Sequence, residues 1–325
     1  MLKLLALDRF TILLFVMVLL ASLWPISGQA AEYFSVLTTS AIALLFFLHG
    51  AKLSRDAIRE GLFHWKLHSI IFLFTFALFP GLGLLARPIL EPLLGQMLYW
   101  GFLFLCFLPS TVQSSIAFTS MAQGNVAGAV CSASFSNIIG MLITPLLVSL
   151  FIMGSNTPQY DPSQAILQII GLLLVPFVLG QWMRPWIYPK MQKFPNLVKN
   201  FDQWSILLVV YGAFSGAVVN GLWQQVDLST LFVLILVCLV LLALIMGLAF
   251  WCARLLRFDL ADQKTIFFCA SKKTLASGVP MAQILFMGLP LGILLLPIMI
   301  FHQIQLMVCG ILANAWSKSS DSSIE

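Results

Sequence analysis

A succession of apolar runs, each about as long as a bilayer is thick, limits what this chain can fold into. Inside lipid there is no water for backbone N–H and C=O groups, so only helices and closed barrels cross it. A crossing helix needs about 20 mostly apolar residues. With that ruler the chain divides into ten segments, at residues 10–26, 34–51, 67–86, 97–122, 126–153, 163–183, 204–221, 228–253, 265–286 and 291–316. Hydrophobic residues make up 60% of the 325 and charged ones only 9%, against about 25% charged in soluble domains. The expected class is an all-α integral membrane protein, a single polytopic domain over residues 1–325 surrounded by the lipid bilayer. Its net charge of +5 then bears on topology and gives no reason to expect nucleic acid.

The basic residues test the count. With ten spans, Lys3, Arg9, Lys52, Arg55, Arg59, Lys66, Arg184, Lys190, Lys193, Lys199, Arg254, Arg257, Lys264 and Lys318 fall on one side. Only Arg87 falls on the other, and Lys272 and Lys273 lie within a span. That asymmetry puts both termini in the cytoplasm, and the expected location is the bacterial inner (plasma) membrane. The first run, with Lys3 and Arg9 before it and Ser27-Gly28-Gln29-Ala30-Ala31 after it, has the form of a cleavable leader. It is read as a span because the repeat described next requires it.

Two halves of five segments, about 1–154 and 155–325, can be laid on each other. The fourth of each is interrupted. In the first half it carries Leu108-Pro109-Ser110-Thr111-Val112-Gln113-Ser114-Ser115; in the second it carries Cys269-Ala270-Ser271-Lys272-Lys273-Thr274, followed by Ser277, Gly278 and Pro280. Because five is odd, the second half enters the membrane inverted. Inverted repeats with paired interrupted helices are a transporter layout that binds its cargo near the midplane, where the breaks meet. A helix-interior proline removes a hydrogen bond and clashes with the preceding turn. In lipid such a break survives only inside protein or beside a cavity. Unwound carbonyls can hold a cation, and half-helix N-termini favour an anion.

A lysine at the bilayer centre costs about 2.5–3.5 kcal/mol on insertion scales. Lys272 and Lys273 diverge by about 100° on a helix, so one is expected to face the cavity while the other caps carbonyls at the break. Ser134 and Asn137 of the fifth segment are expected to line the core, although most of its small residues serve close helix packing. His302, Gln303 and Gln305 are polar at depth in the tenth. His302 is read first as a hydrogen-bonded structural histidine, with titration near neutral pH as the alternative. The six cysteines form no CxxC pair and are read as small buried hydrophobes. No acidic residue falls inside the ten segments, which argues against a carboxylate proton relay. There is no HExxH and no nucleophile elbow, so no enzyme is expected.

At these residues the chain resembles the bile acid:sodium symporter superfamily, and within it the SBF-like branch. The resemblance rests on residues 41–54 (Ala-Ile-Ala-Leu-Leu-Phe-Phe-Leu-His-Gly-Ala-Lys-Leu-Ser), on residues 108–122, on the lysine stretch and on residues 297–307. It implies ten helices in two inverted five-helix repeats, a core domain with two crossing discontinuous helices, and a panel domain that moves against it. It also implies sodium ligands that this chain lacks. Ser115 stands where an asparagine is expected, Ala129 and Ala133 stand at hydroxyl ligands, and Thr75 stands where the third helix would supply glutamine. Cys269 to Lys273 occupy the neighbourhood of a ninth-helix glutamate.

These readings converge on a secondary transporter that moves a small organic anion by alternating access. Its candidate substrate or ion contacts are Pro109, Ser110, Thr111, Gln113, Ser114, Ser115, Ser134, Asn137, Ser271, Lys272, Lys273, Thr274, Ser277 and His302. No cofactor is expected beyond a coupling Na⁺ or H⁺. Lys272 or Lys273 stands in for sodium, leaving uniport, exchange or proton-linked transport. A true sodium/organic-anion symporter is the first alternative. A membrane regulator of ion homeostasis or envelope assembly, without solute flux, is the second.

Overall fold

The computed structural model describes residues 9–52, 64–153 and 167–321, and all regular structure among them is helical. The Lys3, Arg55 and Arg59 charges and the first residues of the sixth segment lie outside the described residues. The helices are α1 (Arg9–Leu23), α2 (Gln29–Lys52), α3 (Trp65–Leu85), α4 (Arg87–Leu94), α5 (Gln96–Phe107), α6 (Gln113–Met121), α7 (Val126–Met153) and α8 (Leu167–Trp182). They continue as α9 (Arg184–Lys193), α10 (Pro195–Val219), α11 (Leu222–Gln225), α12 (Leu228–Leu255), α13 (Leu260–Ala270), α14 (Leu275–Leu285) and α15 (Leu291–Asp321). Six of them are long and apolar enough to cross a membrane, or seven if the bent pair α8 and α9 counts as one span.

The interruptions divide what the sequence reads as single segments. The fourth segment becomes α5 and α6, separated by residues 108–112. Leu108 is extended (φ −70°, ψ 153°) because a residue preceding proline is pushed out of the helical region. The ninth becomes α13 and α14, separated by residues 271–274. Here the proline is not the cause, since Pro280 sits inside α14. Instead the Gln305 side chain replaces the helix ladder at Lys273. The Lys273 N–H donates to Gln305 Oε1 (2.9 Å), and Gln305 Nε2 donates to the Lys273 carbonyl (2.8 Å).

α1, α2, α8 and α10 pack on one another and leave the broken helices to pack against α3, α7, α12 and α15. The α2–α8 contact is made by two glycines. A Cβ on Gly50 would run into the Phe177 carbonyl, and one on Gly180 into the Phe47 carbonyl, so the backbones touch directly. α10 bridges the two groups through α14 and α15. Between them opens a cavity of about 560 Å³.

Candidate functional site

The site is built by accounting for the carbonyls that the breaks release. The last carbonyls of a helix have no partner within it and must find one elsewhere. At the end of α5, Ser110 turns its N–H to Ser136 Oγ (3.1 Å) and leaves the Cys106 carbonyl free. The Phe107 carbonyl is taken by Thr144 Oγ1 (2.8 Å). In α3, residues Phe74–Leu78 form a π-turn in which the Phe79 N–H reaches the Phe74 carbonyl. The next donor in that register would be Pro80, which has no N–H, so the Thr75 carbonyl is released as well.

Lys273 fills the space between these groups. Its Nζ donates to the carbonyls of Leu108 (2.6 Å), Thr75 (2.8 Å) and Cys106 (2.9 Å), and the Phe79 ring lies 4.2 Å away. An ammonium has three donors, and here all three are used. Lys272 is equally buried, with its Nζ on the Ser114 carbonyl (2.8 Å) and against the rings of Phe118 (4.1 Å) and Phe268 (5.4 Å). The expectation that one lysine faces the cavity is therefore corrected. Both ammonium groups lie on carbonyls: Lys273 takes acceptors released around the break after α5, and Lys272 takes a carbonyl in the first turn of α6.

The two breaks are tied to each other. The Thr274 N–H donates to the Pro109 carbonyl (3.0 Å), and Ser110 Oγ donates to the Cys269 carbonyl (2.6 Å). Asn137 joins both, giving its Nδ2 to the Ser110 carbonyl (2.7 Å) and accepting Ser277 Oγ on Oδ1 (3.1 Å). Ser271 Oγ turns back to the Phe267 carbonyl (2.6 Å). His302 Nδ1 lies 2.9 Å from Gln305 Nε2, so it steadies the amide that holds Lys273.

The sequence-selected residues thus separate into two sets. Thr111, Gln113, Ser114, Ser134, Asn137, Thr274, Ser277 and His302 line the cavity. Pro109, Ser110, Ser115, Ser271, Lys272 and Lys273 lie outside its wall, in the buried framework behind it. Of the positions matched to sodium ligands, Thr75, Ser115, Ala129, Ala133 and Cys269 are all buried. The Thr75 and Cys269 carbonyls meet the breaks and are taken by Lys273 and Ser110, and Ser115 Oγ lies 3.1 Å from Thr111 Oγ1 of the first break.

Sequence reasoning missed the opposite wall. Asp202 of α10 is buried, forms an ion pair with Lys52 and lies 3.6 Å from His49 Nε2. All three line the cavity. The ten segments themselves hold no acidic residue, but two carboxylates just outside them are buried in the helical core, Asp202 and Asp262 of α13. Each falls just ahead of an apolar run, in a helix that begins earlier than the run does. The signal available was the pair Lys52 and Asp202, unmatched charges at the edges of two segments. Among the described residues no group of His, Cys, Asp and Glu could hold a metal ion.

Several apolar spans, two helix breaks bound to each other and a cavity at their meeting point define a polytopic membrane protein of the transporter class. The chain belongs to the SBF-like CPA transporter family, whose model matches residues 8–318. The resemblance read from the motifs is thereby borne out. The chain is 51% identical to an uncharacterised protein of Pseudomonas aeruginosa, over 97% of this chain and 94% of that one. It is 50% identical to the candidate symporter YfeH of Escherichia coli (strain K12), again over 97% and 94%. To the sodium/bile acid cotransporter 7 of Rattus norvegicus it is 26% identical, over 88% of this chain and 85% of the relative.

Proposed function

We propose that the chain is a secondary transporter of a small organic anion, working by alternating access around the paired breaks. In this reading ten spans form two inverted repeats, about residues 1–154 and 155–325, with both termini cytoplasmic in a bacterial inner membrane. The panel is α1, α2, α8 and α10; the remaining spans form the core. One observation carries the anion assignment: the first turns of both α6 and α14 border the same cavity, through Gln113 and Ser114 and through Leu275 to Ser277. The first N–H groups of a helix lack intrahelical partners and sit at its positive end, so two such ends favour an anion between them. The volume, about 560 Å³, lies within the range of small-molecule pockets. On the facing wall Lys52 is paired with Asp202, so the anion assignment rests on the two helix ends.

In the same proposal Lys273 serves as a built-in cation. It takes three carbonyls at the break, where a sodium ion would otherwise be coordinated by oxygens. The residues present do not fit a sodium ion while that ammonium is in place. Transport is then uniport, exchange or proton-linked. The alternative, a true sodium/organic-anion symporter, is favoured by the likeness to the sodium/bile acid cotransporter 7 relatives.

Purified protein screened for thermal stabilisation by small organic anions, then reconstituted for uptake of any hit, tests both parts. Saturable uptake that is equal in external sodium and choline is expected. Uptake that rises strictly with sodium overturns the built-in cation, and the absence of any saturable flux overturns the transporter reading.

A further inference from the structure

A short helix outside the cavity points to a different partner. α9 follows α8 after a bend of 87° and has no buried residue. If α8 crosses the bilayer, α9 runs along its surface before α10 re-enters. Its outward stripe reads Trp186, Lys190 and Lys193, residues three or four apart and all exposed, and exposed Trp182 at the end of α8 lies beside it. The two indoles meet edge to face at 6.0 Å, and exposed Phe194 and Leu197 continue the apolar surface. This is the pattern of an interfacial helix, with aromatic rings at headgroup depth and basic groups reaching phosphate.

Charge makes the occupant specific. From residue 181 to 201 the chain carries Arg184, Lys190, Lys193 and Lys199 and no Asp or Glu. No ion pair is made by Arg184, Lys190 or Lys193 among the described residues. Arg184 is turned beneath the helix, its guanidinium 4.6 Å from the Tyr188 ring, with a buried Nε that has no hydrogen-bond acceptor. Tyr188 also lines the cavity, so α9 has one exposed face and borders the cavity on another.

We infer that α9 is a docking site for anionic phospholipid headgroups, with Lys190 and Lys193 on phosphate and Trp182 and Trp186 seated at the interface. Each basic group near an anionic membrane surface contributes about fivefold in affinity. The exposed pair can be removed without disturbing any packed residue.

The test measures thermal unfolding of the full chain in vesicles of phosphatidylcholine alone and of phosphatidylcholine with phosphatidylglycerol. Mass spectrometry of the detergent-solubilised protein then counts retained lipids. Phosphatidylglycerol is expected to raise the unfolding temperature and to be retained preferentially. In Lys190→Gln/Lys193→Gln both effects fall, with the affinity for phosphatidylglycerol lowered by roughly 25-fold. Soluble glycerol phosphate is expected to do neither. Equal unfolding in the two vesicles, or a phosphatidylglycerol effect that survives the double substitution, overturns the assignment. A stabilisation by glycerol phosphate as large as that by the lipid overturns it too.

Discussion

At the scale of the residue, Lys273 shows how a charge is kept inside an apolar protein. Three carbonyls from two helices are left without partners by Pro80, Pro109 and the turn at Ser110, and one ammonium satisfies them all. Replacing it strands those acceptors, and each buried group left unpaired costs about 1–3 kcal/mol. Lys273→Ala is therefore expected to lose roughly 3 kcal/mol or more of stability, and also to leave a small carbonyl-lined void. If the ammonium stands in for sodium, that void should take the ion. The unfolding temperature of Lys273→Ala should rise in sodium chloride relative to choline chloride at equal ionic strength. Wild type and Lys273→Met, in which the space is filled, should not respond. A variant that responds to neither salt, or a wild type that responds as strongly, counts against the built-in cation. From sequence the presence of a buried charge was readable, because two adjacent lysines interrupt an apolar run. Their direction was not. It depends on carbonyls contributed from sequence positions far from residue 273, and periodicity carries no trace of those.

At the scale of the element, the two breaks have different origins, and only one was written locally. Leu108 is extended because Pro109 follows it, so the end of α5 follows from a dipeptide. The end of α13 follows from Gln305, which lies 32 residues away and substitutes its amide for a turn of helix. Pro280, the apparent breaker in the sequence, is accommodated inside α14. Helix contacts are similarly divided. The close approach of α2 and α8 depends on Gly50 and Gly180, each facing a backbone carbonyl of the other helix. Neither glycine has a positive φ, so the requirement is for space alone. Adding a methyl group to either position must push the backbones apart, since a carbonyl cannot rotate away as a side chain does. Overpacking of this kind costs about 1–3 kcal/mol. Gly50→Ala and Gly180→Ala should each lower the unfolding temperature clearly, whereas Gly171→Ala, with open space at its Cβ, should not. Equal effects at all three positions would show that the contact does not hold the helices together.

At the scale of the whole molecule, the described helices form two groups that meet at a cavity, and charge is placed on both sides of it. The core supplies two helix N-termini; the opposite wall supplies Lys52, His49 and Asp202. This second wall could not be read from the chain in order, because Lys52 and Asp202 are 150 residues apart and each sits at the margin of an apolar run. If the groups move against each other, contacts across their boundary must break in each cycle. One such contact is the hydrogen bond from Gln283 Nε2 of α14 to Thr38 Oγ1 of α2, at 3.2 Å. It joins the second half of a broken helix directly to the facing group. A short reducible crosslink between Thr38→Cys and Gln283→Cys should hold the molecule in this conformation. Uptake of an anion identified by stabilisation should stop in the crosslinked protein and return when the bridge is reduced. The same reagent on wild type should have little effect, because five of its six cysteines are buried. A crosslink in α2 alone, between Thr38→Cys and Ile42→Cys one helical turn apart, should leave uptake intact. Full transport with the Thr38–Gln283 bridge closed would mean that the two groups move as one body, and alternating access would have to be sought elsewhere in the fold.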